Sequence, residues 1–81
     1  MTELVLKTGR GRLRPYNGEV VDGYKVAHEL ALKIKKDVIV YAFSDLREKW
    51  ERLARVVYDT DSHTAELVFD YATESPYVER G

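Results

Sequence analysis

The feature that most constrains the fold is a continuous apolar run at positions 38–43, VIVYAF, directly after Asp37. Four of its residue types are β-branched or aromatic, and these side chains favour strands. Continuous apolar runs of this length are typical of strands that are buried on both faces, whereas half-buried strands alternate. The sequence therefore predicts a buried central strand at 37–43.

The chain is short, with 81 residues, and this length predicts a single domain over 1–81 with one small core. It contains no cysteine, so neither a disulfide nor a thiolate metal site adds stability. Association with a partner or a second copy would stabilise so small a core, and we expect a homo-oligomer. There is no apolar run of about 18 residues and no signal-peptide pattern. We therefore expect a cytoplasmic protein with no membrane partner.

A hairpin is predicted around Asn17-Gly18, with arms at 10–16 and 19–22. Asn-Gly is the strongest short-range hairpin signal, because both central residues of a type I′ turn need a positive φ. Pro15 lacks the N–H group that a sheet ladder requires, so its strand is expected at a sheet edge.

A helix is predicted at 23–36, with Asp22 as its N-cap. Its lysines gather in the last turn, where positive charge suits the helix dipole. The apolar side chains recur at helical spacing; they are Tyr24, Ala27, Leu30, Ala31 and Ile34.

The segment 45–57 has two interpretations. Asp45 and Glu48 resemble a capping box, and an apolar stripe follows at helical spacing; it consists of Leu46, Trp50, Leu53, Ala54 and Val57. This pattern favours a helix at 45–57. The alternative is a pair of strands around the turn residues 59–62.

The remaining elements are a strand at 3–8 and a last strand in which apolar and polar residues alternate. Its apolar positions are Ala65, Leu67, Phe69 and Tyr71. The tail at 73–81 is expected to fray. The mixed order of strands and helices predicts an α+β fold. We expect a small two-layer domain, a mostly antiparallel sheet packed by one or two helices.

Motifs for catalysis, metals and nucleotides are incomplete. His28 begins a zinc-protease-like HELAL, but Leu32 occupies the position of the second histidine. The Asp-x-Asp-x-His start at 59 resembles a calcium loop, but Thr64 replaces its glycine. GRGRLR has Arg14 at the third glycine of a dinucleotide fingerprint. We therefore expect no catalytic residues, no metal and no cofactor, and a protein that is not an enzyme.

Charge is distributed unevenly: 1–36 holds eight basic and four acidic side chains, and 59–81 holds one basic and six acidic. Three arginines at alternate positions of an extended 10–16 would share one face. Guanidinium groups bind carboxylate or phosphate bidentately, and Tyr16 could stack on a base. The candidate residues for an anionic partner are Lys7, Arg10, Arg12, Arg14 and Tyr16. The same pattern is also compatible with a solvated hairpin that binds nothing.

Six tyrosines are many for this length, and tyrosine is enriched at interfaces. We take Tyr71 and Tyr77 as candidate interface residues. The leading hypothesis is a small non-enzymatic binding protein that docks on another protein, as an inhibitor or a regulatory accessory subunit. The alternative is binding of nucleic acid or a phosphorylated small molecule through the basic segment 7–16. Self-association could use the opposed charges or the last strand.

Overall fold

The computed structural model describes residues 2–9 and 11–77. Within these residues one helix packs on a five-stranded sheet, in the order β1 (Thr2–Thr8), β2 (Leu13–Gly18), α1 (Val20–Ile34), β3 (Val38–Ser44), β4 (Lys49–Asp59) and β5 (Thr64–Thr73). The spatial order is β2-β1-β3-β4-β5, and every neighbouring pair is antiparallel. The predicted two-layer α+β domain is confirmed. In this part of the chain no helix is long and apolar enough to cross a bilayer.

The predicted central strand is confirmed as β3, which pairs with β1 on one side and β4 on the other. Its alternate residues Val38 and Val40 join a fully buried cluster with side chains of α1. Two alanines of α1, Ala27 and Ala31, contribute to that cluster, and their small size lets the helix lie close to the sheet. Tyr41, on the opposite face, is also buried at 2% exposure.

α1 begins earlier than predicted, at Val20, with Glu19 in the N-cap position and no side-chain cap hydrogen bond. Asp22 is therefore not the N-cap; it lies in the first turn, where its negative charge suits the helix dipole. The early start is compatible with close packing, because Gly23 faces β1. A β-carbon at Gly23 would clash with Cδ1 of Leu4.

The predicted turn at Asn17-Gly18 is wrong. These residues end β2, where they pair with β1, and the chain then enters α1. The turn lies earlier, between β1 and β2: the N–H of Gly11 donates to the Thr8 carbonyl (2.8 Å), and the Thr8 N–H donates to the Arg12 carbonyl (2.9 Å). Gly11 has a φ of +78°, which glycine adopts without strain. The glycine that makes the turn is thus Gly11.

The predicted helix at 45–57 is wrong, and the alternative of strands is the correct one. Residues 45–48 form a turn, and Lys49–Asp59 forms β4. β4 pairs with both β3 and β5, so tertiary pairing overrides the local helical pattern.

A bulge explains why this strand resembled a helix. Ala54 pairs with Val40, but Arg52 pairs with Tyr41, so Leu53 is an extra residue in β4. Beyond the bulge the faces are exchanged, and Trp50 packs edge-on against Phe43, with ring centroids 5.4 Å apart, on the face opposite α1. Apolar residues that serve opposite faces therefore fall four positions apart, which imitates helical spacing.

The C-terminal segment 74–77 crosses the sheet face opposite α1. The Tyr41 hydroxyl donates to Oε2 of Glu74 (2.6 Å), and Pro76 is buried. Of the tail predicted to fray, Thr73 belongs to β5. Residues 78–81 lie outside the described residues.

Candidate functional site

A basic surface forms where the β1–β2 turn meets the end of α1. A β-carbon at Gly9 would lie 3.8 Å from Cδ and 3.9 Å from Cβ of Lys36, so the stem of Lys36 lies beside this turn. α1 ends just before, at Ile34, and Lys35 caps it in the left-handed conformation with a φ of 58°. Four exposed side chains of this surface are here called the basic end: Arg12, Arg14, Lys35 and Lys36.

The arginines of the basic end differ from those of β4 in their partners. Arg52 contacts both carboxylate oxygens of Glu74 at 3.2 Å, and Arg55 contacts Asp70 at 3.0 Å. Neither Arg12 nor Arg14 forms an ion pair with any carboxylate of residues 2–9 and 11–77. Their guanidinium groups are therefore available to a partner.

β2 begins at Leu13, so Arg14 lies within the strand and Arg12 precedes it, where its carbonyl accepts from the Thr8 N–H. Arg14 pairs with Leu6 and so lies on the α1 side of the sheet, since paired side chains share a face. Lys7 pairs with Leu13 on the other face. Arg10 lies outside the described residues.

Tyr16 packs within the molecule, between β2 and the start of α1. A β-carbon at Gly18 would lie 3.0 Å from Cε2 of Tyr16, and one at Gly23 would lie 3.8 Å from its Cδ2. A side chain at position 18 would therefore require the Tyr16 ring to shift by a few tenths of an ångström. The half-buried ring of Tyr16 serves packing here, and we exclude it from the basic end.

Tyr71 and Tyr77 lie on opposite faces and do not form one interface. The Tyr71 hydroxyl hydrogen bonds to Glu51, which raises the pKa of Tyr71, and it accepts a hydrogen bond from Arg47 (3.0 Å). Tyr77 is on the face opposite α1, with its ring 5.5 Å from that of Trp50.

An apolar surface that the sequence analysis missed lies beside β5. The Phe69 side chain is 71% exposed, and its ring meets that of Tyr24 edge-on at 5.6 Å. Four residues of α1, spaced three, four and four positions apart and including Tyr24, share one side of the helix. Together with Phe69 they form a surface here called the β5 flank, which consists of Val21, Tyr24, His28, Leu32 and Phe69. Val21 and Leu32 are apolar residues outside the predicted core stripe. This pattern in the sequence could have indicated a second apolar surface.

The β4–β5 turn is polar and hydrogen-bonded within itself. The Asp59 carboxylate accepts from the N–H of Asp61 (2.9 Å), and this bond is the main cause that lowers the Asp59 pKa. The Tyr58 hydroxyl lies 3.2 Å from Nδ1 of His63. Among the described residues no group of acidic or histidine side chains could hold a metal ion.

No protein-family model, curated protein or solved structure matches this chain. The candidate sites therefore rest on the geometry alone. Two surfaces stand out by their chemistry: the basic end, which carries unpaired positive charge, and the β5 flank, which exposes apolar side chains next to a strand edge.

Proposed function

We propose that this chain is a small non-enzymatic binding protein that docks an acidic segment of another protein on its basic end. The observation that carries the proposal is the contrast in arginine partners: Arg52 and Arg55 hold carboxylates of their own chain, whereas Arg12 and Arg14 hold none of the described ones. The planar guanidinium group matches a carboxylate with two parallel hydrogen bonds. The same pairing that fixes β4 to β5 is thus offered to a partner.

The charge distribution favours a short acidic segment of a protein over a nucleic acid. The net charge of the chain is −1, far from that of a basic nucleic-acid-binding domain. The β4–β5 turn, with Asp59 and Asp61, lies at the same end of the sheet as the basic end, because Thr8 pairs with Val38 and Val38 with Val56. A long polyanion would meet these carboxylates, whereas a short acidic segment need not. In this proposal the chain acts as an inhibitor or a regulatory accessory subunit.

The test is a titration followed by fluorescence anisotropy, with a labelled glutamate-rich peptide and a labelled single-stranded oligonucleotide as probes. We expect the peptide to bind, and R12A/R14A to weaken binding about tenfold, since hydrogen bonds to charged groups contribute about 1.5–3 kcal/mol each before solvent screening. Added salt should weaken binding as well, because the contacts are ionic and exposed.

The matched control is K25A/K49A, which removes the same charge from two exposed lysines. Lys25 lies within α1 and Lys49 at the opposite end of β4 from the β4–β5 turn. Equal weakening in both double variants would show that only net charge matters and would contradict the proposal. Tighter binding of the oligonucleotide than of the peptide would replace the proposal by nucleic-acid recognition, since guanidinium groups bind phosphate equally well.

A further inference from the structure

We infer that two copies of this chain pair through β5, antiparallel and centred on Phe69, so that the two sheets become continuous and the two helices lie side by side. This inference uses the β5 flank, and it does not rest on the proposed function of the basic end. Its partner is a second copy, because the edge and the flank are complementary to themselves.

The backbone of β5 is suited to strand addition. β5 is ten residues long, with the sequence TAELVFDYAT, which contains no proline. Its outer side has no neighbouring strand among the described residues. Such an edge presents N–H and C=O groups that a further strand could pair; in β5 one of these, the Ala65 carbonyl, already lies 2.9 Å from Nε2 of His28. Proteins usually protect an edge with lysine, proline or a bulge on its outer side. β5 contains neither lysine nor proline, but its pairing with β4 is irregular beside Phe69, where Phe69 and Ala72 pair with Ala54 and Arg52.

The side chains next to this edge are apolar and exposed. On the α1 side Phe69 is 71% exposed and Val21 is 63% exposed, and Leu32 is 38% exposed. These three belong to two different elements that meet at the Tyr24–Phe69 contact. A partner that adds a strand to β5 and carries its own helix on the same side would cover all three.

Charge excludes some registers, and the large exposed side chain of Phe69 selects among the others. Paired side chains share a face of the sheet. If both helices lie on the same side of the joined sheet, the two-fold axis must therefore run through a residue of β5 and not between two residues. Centring on Val68 would place Glu66 opposite Asp70, and like charges directly opposite are destabilising. Centring on Phe69 places Phe69 opposite itself, and the remaining pairs contain no two carboxylates: Leu67 with Tyr71, Val68 with Asp70, and Glu66 with Ala72. Asp70 is moreover paired with Arg55 of its own chain.

The size of the surface indicates a dimer that dissociates on dilution. Ten residues span about 33 Å at about 3.3 Å per residue, and the shortest principal dimension of the molecule is 19 Å. A flank of this size offers about 600 Å², compared with about 800 Å² per partner in a standard interface. We therefore expect the mass to depend on protein concentration.

The first test is crosslinking by a single cysteine, which is specific because the chain has none of its own. In the proposed register the two copies of residue 69 face each other at a Cα separation of about 4.5–5.5 Å, within the reach of a disulfide. We expect F69C to form a covalent dimer under mild oxidation at a rate several-fold above that of N17C. Asn17 is also an exposed position, on β2. Equal rates for the two variants would overturn the inference.

The second test is sedimentation velocity over a range of concentrations, with folding checked by circular dichroism. We expect the wild type to approach twice its 9.4 kDa, with the dimer persisting in high salt. F69E and V21E should be shifted towards monomer, whereas Y77E, an aromatic-to-glutamate change on the opposite face, should behave as the wild type. A monomeric wild type, or dimers in F69E and V21E, would contradict the inference. A dimer that salt dissociates would indicate pairing of charged surfaces instead.

Discussion

The two outer strands of the sheet, β2 and β5, differ in length, sequence and surroundings. β2 has six residues and includes Pro15, whereas β5 has ten residues and no proline. β2 follows directly after a basic turn, while β5 lies beside exposed apolar side chains of α1. Proline and positive charge are devices that protect a sheet edge. The sheet is thus protected at the β2 edge and open at the β5 edge.

One small sheet can therefore place two kinds of contact at its two edges, an ionic contact at β2 and an apolar contact at β5. The β2 side carries guanidinium groups of Arg12 and Arg14 that suit an ionic contact. Water solvates these groups when no partner is bound. The β5 side carries exposed apolar side chains beside a strand edge, which a second copy would cover at high protein concentration. In this account the two functions do not compete, because they occupy opposite edges.

The largest expected effect on the free energy of unfolding separates contacts within one chain from contacts between two copies. Leu4 is fully buried beneath Gly23, and L4A should lower the free energy of unfolding by about 2–5 kcal/mol. Phe69 is largely exposed in one copy, so F69A should destabilise the protein mainly where the dimer forms. Urea denaturation at two widely separated protein concentrations measures both effects. A loss in F69A that is as large at low as at high concentration would show that Phe69 acts within the monomer.

An intermediate effect is expected from the two kinds of arginine. Arg52 donates to the Asp70 carbonyl (3.0 Å) and to both oxygens of Glu74, so R52A removes three hydrogen bonds to partly buried acceptors. We expect a loss of about 1–2 kcal/mol at neutral pH. R14A, on the β2 side, should change stability by less than about 0.5 kcal/mol.

Thermal and urea unfolding of both variants at one concentration would measure this difference. A loss of stability in R14A comparable to that in R52A would mean that Arg14 has a structural role. It would contradict the proposal that the basic end is available to a partner. The double variant R52A/E74Q should recover part of the stability lost in R52A, because it removes the negative charge that Arg52 neutralises.

The smallest effect is expected in the turn that leads into β5. The Asp61 N–H holds the pKa of Asp59 below its usual value. A lowered pKa in the folded state stabilises the fold above the unfolded-state pKa of about 3.9, and the contribution is lost as the pH falls through the folded pKa. Carboxyl-carbon NMR shifts recorded against pH should show Asp59 titrating below its usual value. S62A, which removes a second hydrogen bond to Asp59, should raise that pKa. Titration of Asp59 at its usual pKa would contradict this description of the turn.

Much of the fold could be predicted from local patterns. The apolar run at 38–43 is found as the central strand, and Pro15 lies on an edge strand, since both follow from rules about burial and ladder hydrogen bonds. The helix at 45–57 was mispredicted because the bulge at Leu53 shifts the faces of β4, and a bulge is set by the neighbouring strands. The turn was misplaced because Asn17-Gly18 and Gly11 offer competing signals, and the ring of Tyr16 accounts for Gly18.

The candidate site could be predicted only in part, because tertiary contacts assemble it. Arg12 and Arg14 were identified from their spacing, but Lys36 joins them through its contact with Gly9, which is remote in sequence. Likewise, the role of Phe69 depends on its position beside α1, where it meets Tyr24. Alternation assigned Phe69 to a buried face, and the structure leaves that side chain largely exposed.

The central claim is that the β5 edge is completed by a second copy and the β2 edge is not. Amide hydrogen exchange, measured residue by residue at low and high protein concentration, tests it most directly. We expect outward-facing amides within Thr64–Thr73 to exchange more slowly as the protein concentration rises, and those within Leu13–Gly18 to exchange at an unchanged rate. Exchange at β5 that is independent of concentration, or equal protection of both edges, would contradict it.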